Sequence, residues 1–281
     1  LYVAPSNTGR LSGVDLDNDG VVASAENVDT RPHGNDSFGY GEYPGQYSMA
    51  LLSRYPISTE AARTFQTFRW LDLPDHRAPT DWYSPEAMDV FRLSSKSHWD
   101  VPVQVGDETL HLLVSHPTPQ GFDGDEDRNG RRNFDEIGFW AHYLDDEPRI
   151  YDDAGELGGY ESTDPFVIAG DLNASPVDDT TTFDGRNAIS QLLEHPRVQE
   201  SGEWMTSEGA LAGREPGAPM FWERSTTGFR EGRRIDYLLP SRDLEVLGGG
   251  VFWPSAESDP EAAAWAEAAS DHRAIWLDVA L

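Results

Sequence analysis

Four short polar motifs, each bordering an apolar run, carry the residues able to do chemistry: Leu112-Leu113-Val114-Ser115-His116, Phe166-Val167-Ile168-Ala169-Gly170-Asp171-Leu172-Asn173, Arg234-Ile235-Asp236-Tyr237-Leu238-Leu239 and Ser270-Asp271-His272-Arg273. Each puts an imidazole, a carboxylate or an amide at the rim of a buried strand, where a desolvated polar group requires a partner or a task. Asp171 and Asn173 share a face if the strand continues through them, because alternate strand residues point the same way. So placed, a carboxylate and an amide polarise a water and stabilise the charge that builds on phosphorus. The competing reading of the same residues is a turn capped by its own side chains. If Asp171, Asp236 and Asp271 converge to about 4 Å, they repel by roughly 4 kcal/mol per pair at an effective dielectric of about 20. A divalent cation is the simplest remedy. Oxygen ligands in a chain without cysteine favour magnesium or manganese over zinc. His116 and His272 then donate to phosphoryl oxygens, with Asp236 orienting an imidazole. The expected chemistry is metal-dependent phosphoester hydrolysis, with a small phosphoester or nucleic acid as substrate.

Two acidic loops suggest calcium as a second, structural ion. Asp15, Asp17, Asp19 and Glu26 occupy the ligand positions of a twelve-residue calcium loop, with Gly20 at its sharp turn and Val22 at its apolar eighth position. Asp125, Asp127, Asn129 and Glu136 fit the same pattern over 125–136, although Arg132 stands at the eighth position. Binding at roughly 0.1 to 1 mM, as in extracellular modules, implies a calcium-rich, extracellular setting for a secreted protein.

The elements that must position these residues follow from periodicity. Val101 to Val105 and Leu110 to Ser115 read as a hairpin about Gly106-Asp107-Glu108, and Phe166 to Ala169 as a fully buried strand. Strands are also expected at Ser48 to Ser53, Phe91 to Ser95, Ile235 to Leu239, Leu244 to Trp253 and Ala274 to Leu281. Ile137, Trp140 and Leu144 at helical spacing give an amphipathic helix over Asp135 to Leu144. Residues 200–230 read as mostly loop with exposed Trp204 and Trp222. Apolar strands with helices between them suggest packed sheets covered by helices. No internal repeat or long linker divides the 281 residues, so a single domain is expected.

Lys+Arg 21 against Asp+Glu 50 gives a net charge of -29, which repels free polyanions and weighs against non-specific nucleic-acid binding through a basic face. No disulfide, thiolate site or cysteine nucleophile is possible with Cys 0. Nor is there a Gly-x-Ser-x-Gly elbow for a serine hydrolase. No apolar run reaches the roughly 18 residues of a membrane span, and a monomer without membrane association is expected. Lys96, the only lysine, and Arg234 are read as solvated or paired.

His at a strand end, Gly-Asp-x-Asn, Arg-Ile-Asp-Tyr and Ser-Asp-His, in that order, resemble the endonuclease/exonuclease/phosphatase superfamily. The resemblance runs from about Tyr47 to the C-terminus. It implies a four-layered α/β sandwich, two packed mixed β-sheets flanked by helices, and hydrolysis of phosphodiesters or phosphomonoesters with a divalent metal. By position, Asp171 would orient or deprotonate the attacking water and Asn173 would bind the transition state. Asp271 would ligate metal, and His272, paired with Asp236, would contact the phosphate opposite His116. The superfamily begins with an Asn-bearing strand and a Glu-bearing strand that would lie before Tyr2, so the sandwich is expected to lack its first strands here. The alternative expectation is a non-catalytic, calcium-stabilised module with a degenerate site.

Overall fold

The structure, a computed structural model, describes residues 1–122, 124–177, 179–213, 222–228 and 232–281. Its strands are β1 (Arg63–Thr64), β2 (His98–Val105), β3 (Glu108–Ser115), β4 (Phe166–Asp171), β5 (Thr182–Phe183), β6 (Arg186–Asn187), β7 (Asp236–Pro240), β8 (Glu245–Val251) and β9 (Ile275–Ala280). Its helices are α1 (Arg31–Asn35), α2 (Pro85–Val90), α3 (Arg128–Leu144), α4 (Ser190–Leu193), α5 (Glu208–Ala212) and α6 (Pro260–Ala269).

A mixed five-stranded sheet in the order β1-β2-β3-β4-β7 forms the frame. β2 and β3 make the expected hairpin, paired from Val105↔Glu108 to His98↔Ser115. β3 and β4 run parallel, which brings their C-terminal ends to the same edge, and β4 pairs antiparallel with β7, which starts at that edge. Three consecutive strands therefore deliver His116, Asp171 and Asp236 side by side. Two smaller antiparallel sheets accompany it, β5-β6 and β8-β9, and β9 lies against β7. The architecture is α/β, as expected. Among the described residues no helix is long and apolar enough to cross a membrane.

The core lies under α3, where Ile137, Phe139, Trp140 and Tyr143 meet Phe65, Phe68, Phe166 and Ile168. Edge-to-face contacts such as Phe65 with Phe139 at 5.0 Å recur through it. Each buried aromatic removes about 150 to 250 Å² from water, about 4 to 6 kcal/mol of apolar burial before entropy is charged against it.

α3 begins at Arg128, well before the expected Asp135. Its first two turns are buried but polar, so hydrophobic periodicity does not register them. Arg132 donates to the carbonyls of Leu93, Arg92 and Phe38, while Asn133 donates to those of Thr118 and Leu172. The same bonds explain why Phe91 to Ser95 is not a strand. The carbonyls of Arg92, Leu93 and Ser94 are taken by Arg132 and Asn7 side chains, and only an isolated Arg69↔Arg92 bridge forms. Ser48 to Ser53 likewise contributes a single bridge, Tyr2↔Leu51, and its Leu52 is exposed. In 200–230, of which 214–221 and 229–230 lie outside the described residues, Trp222 is buried and donates to the Ala210 carbonyl. Arg234 is paired with Glu200 at 2.8 Å, and Lys96 is buried rather than solvated.

Candidate active site

Asp171, the last residue of β4, and Asp236, the first of β7, are direct cross-strand partners. Two carboxylates in that relation repel, and the surroundings answer the repulsion with imidazoles. His272 donates from its Nδ1 to both Asp236 oxygens, at 2.9 Å to Oδ2 and 3.1 Å to Oδ1. Its Nε2 lies 3.8 Å from Asp171 Oδ2, and the Nε2 of His116 approaches the same oxygen at 3.5 Å. One carboxylate oxygen thus sits between two imidazoles that are far apart in the sequence.

Local sequence makes this convergence possible. Gly170 adopts φ +153°, and a Cβ there would run into the Ser115 carbonyl, so β3 and β4 close up only around glycine. β4 ends at Asp171, and Asn173 turns left-handed at φ +50°, a conformation asparagine tolerates. Asn173 and Asp171 therefore do not share a strand face. The Asn173 backbone N–H instead donates to Asp171 Oδ1 at 2.9 Å, and its side-chain amide donates to the Pro117 carbonyl at 3.0 Å. The motif is a turn capped by its own side chain, set at the rim of a cluster of titratable groups.

Burial and the neighbouring Asp236 push the Asp171 carboxyl up to about 7. His272 moves the other way, raised to about 9, chiefly by its hydrogen bond to Asp236 and in spite of partial burial. It is therefore an imidazolium at neutral pH. His116 is held well below the ordinary imidazole range by burial, with the charges of Lys96 and His272 adding to the effect. The site accordingly presents one neutral and one protonated ring around a carboxylate able to change its protonation near neutrality.

Asp171, Asp236 and His272 bring a side-chain atom each within 4.8 Å of one another; the two carboxylates suit a hard cation, and the protonated ring of His272 stands beside them as a hydrogen-bond donor. Asp271 is exposed, stands outside that group, and has Ser270 Oγ at 3.5 Å from its carboxylate. Thr226, which carries no motif signal, donates from its hydroxyl to Asp236 Oδ2 at 2.6 Å and fixes the carboxylate from behind. Lys96 is likewise drawn in. Its ammonium is pulled down to about 8 by burial, against the favourable fields of Glu136 and Asp171.

Of the two acidic loops, the first is gathered and the second is not. Asp15, Asp17 and Asp19 bring carboxylate oxygens within 4.8 Å of one another; Glu26, exposed on a short 3-10 turn, is not part of that group. The Gly20 N–H donates to Asp15 Oδ2 at 2.9 Å, and Asp15 Oδ1 is buried without a hydrogen-bond partner. In the second segment α3 starts at Arg128, so no twelve-residue loop exists. Asp125 is exposed, and Asp127 precedes the helix in a left-handed conformation, accepting from Thr181 Oγ1. Asn129 donates to the Gly121 carbonyl. Glu136 is buried and accepts from the backbone N–H groups of Ser95 and Thr118 at 2.5 and 2.7 Å. The expected ligand set Asp125, Asp127, Asn129 and Glu136 is corrected accordingly, because helix formation carries Glu136 into the interior.

The sequence profile of the endonuclease/exonuclease/phosphatase family matches residues 8–272. No curated protein matches the chain. Among solved structures, the chain is similar to an endonuclease/exonuclease/phosphatase from Beutenbergia cavernae, at 18% identity over 82% of this chain and 46% of that one, with a TM-score of 0.47. It is similar to a family protein from Leptotrichia buccalis at 13% identity, over 82% of this chain and 64% of that one, with a TM-score of 0.40. Sphingomyelinase C from Streptomyces griseocarneus follows at 14% identity, 56% and 47% coverage, and a TM-score of 0.34. The chain spans less than two thirds of the length of each of these three proteins.

Proposed function

We propose, from the premise that the chain belongs to the endonuclease/exonuclease/phosphatase family, that it hydrolyses phosphoesters with a divalent metal and an activated water. The observation that supports this most is the position of Asp171 Oδ2 between the Nε2 atoms of His116 and His272, with Asp236 holding the far nitrogen of the latter. Asp171, one oxygen of which lies between the two imidazoles, orients the water and accepts its proton. The imidazolium of His272 donates to a phosphoryl oxygen, and its charge is sustained by Asp236. His116 and Asn173 contact the phosphate from the other side.

The residues present suit a hard cation. Two carboxylates held together against their own repulsion, with an imidazole beside them, are relieved by magnesium or manganese. When bound, such an ion neutralises charge developing on the phosphate. Calcium in the Asp15, Asp17 and Asp19 loop is the structural counterpart, supported by the buried, unpartnered Asp15 Oδ1, and an extracellular setting goes with it. The net charge of -29 favours small phosphoesters over nucleic acid.

The test is hydrolysis of bis-p-nitrophenyl phosphate by the full-length protein with magnesium or manganese. Turnover should vanish with chelator and in Asp171→Ala and His272→Ala, while their circular dichroism matches wild type. Absence of metal-dependent turnover in the wild type would leave the non-catalytic, calcium-stabilised module in its place.

A further inference from the structure

Lys96 is the one lysine of the chain and is 5% exposed, on the segment that leads into β2. A buried ammonium is costly unless it is partnered, and Lys96 stands where partnership would matter. Its Nζ donates to the Pro117 carbonyl at 3.2 Å, and the Asn173 side-chain amide donates to the same oxygen at 3.0 Å. That carbonyl belongs to the residue following His116. One oxygen thus ties the β3 end, which leads into His116, to the turn that carries Asn173 just after Asp171 closes β4.

Bonds from the preceding Ser95 and from α3 reinforce the tie. Ser95 donates its backbone N–H to Glu136 Oε1 and its hydroxyl to the His116 carbonyl, at 2.5 and 3.4 Å. Glu136 Oε2 holds the Thr118 N–H at 2.7 Å. Three residues earlier on α3, Asn133 donates to the carbonyls of Thr118 and Leu172 at 2.8 and 3.0 Å. The field of the buried ammonium also reaches Asp171 and Glu136.

We propose that Lys96 is a positioning residue of the hydrolytic site: through the Pro117 carbonyl it fixes the Asn173 amide relative to His116. This rests on the hydrolytic reading above. Lys96 touches no reacting atom, so its loss should lower kcat and leave substrate binding unchanged. A charge-assisted hydrogen bond of this kind corresponds to roughly 10- to 100-fold in rate.

Two properties of the chain make the test clean. A single lysine means that protein labelled with 13C,15N-lysine shows one ammonium signal, and Asn173→Ala should move it because the shared acceptor is released. An unmoved signal overturns the proposal. Cys 0 means that Lys96→Cys introduces the sole thiol. Alkylation of the denatured variant with 2-bromoethylamine, followed by refolding, restores an ammonium of nearly the same length. With bis-p-nitrophenyl phosphate, Lys96→Met and unalkylated Lys96→Cys should lose roughly 10- to 100-fold in kcat at constant KM, and alkylation should recover most of it. Near-ultraviolet circular dichroism should match wild type throughout. Unchanged kcat, or a loss confined to KM, overturns the proposal. If wild type turns over no phosphoester, the hydrolytic reading fails, and the lysine signal alone still decides whether the tie exists.

Discussion

Replacing Asp171 with asparagine should stabilise the metal-free protein at neutral pH while abolishing hydrolysis. Burial and Asp236 raise the Asp171 carboxyl to about 7, against about 3.9 in an unfolded chain. As pH rises, the unfolded state therefore loses this proton first. Folded stability falls by about 1.4 kcal/mol per pH unit between about 4 and 7, and the full deficit persists above 7. Three units amount to about 4 kcal/mol; with the side chain 19% exposed and the imidazolium of His272 nearby, about 2 kcal/mol is a sounder expectation. Asparagine keeps the size of the side chain, and its carbonyl still accepts from the Asn173 N–H. For a domain of this size the gain corresponds to about 4 to 8 °C. Scanning calorimetry in chelator should show Asp171→Asn melting above wild type by that amount at pH 8, with the gap narrowing at pH 5. Saturating manganese should raise the wild-type midpoint far more than that of the variant. An equal gap at both pH values, or a variant that melts below wild type at pH 8, would refute the electrostatic reasoning.

Three further outcomes are expected. Asp236→Asn should return the His272 titration from about 9 toward the ordinary imidazole value, as followed by the ring-proton resonances; a ring that still titrates near 9 would show another source for the shift. Calcium added to chelated protein should raise the melting midpoint, and Asp15→Asn should weaken that response, since Asp15 Oδ1 has no other partner; an unmoved midpoint would reduce the loop to a turn. Gly170→Ala should destabilise by about 2 kcal/mol or more and depress turnover, because its Cβ would displace the Ser115 carbonyl beside His116. Wild-type stability in that variant would show that β3 and β4 need no glycine at their closest approach.

The strand-end motifs were legible because a polar residue at the close of an apolar run marks the rim of a buried sheet. His116, Asp171, Asp236 and His272 all meet there. What escaped periodicity was the polar interior. Arg132, Asn133 and Glu136 are buried on α3 because backbone carbonyls and N–H groups need them, and hydrophobic spacing is blind to that demand. The same blindness made 125–136 look like a calcium loop, since its acidic spacing fits while the helix that disperses it has few apolar residues at its start. Thr226 and Lys96 sit outside any motif, and their parts come from tertiary contact alone. Asn173 shows a finer limit: strand alternation stops where the left-handed turn begins.

The most direct measurement is phosphodiester hydrolysis by the full-length protein in 18O-enriched water with manganese, followed by 31P NMR of the product. Attack on phosphorus by a water oriented at Asp171 should place one 18O atom in every product phosphate, with no product from Asp171→Asn. Label appearing in the released alcohol, or equal product from the variant, would contradict it.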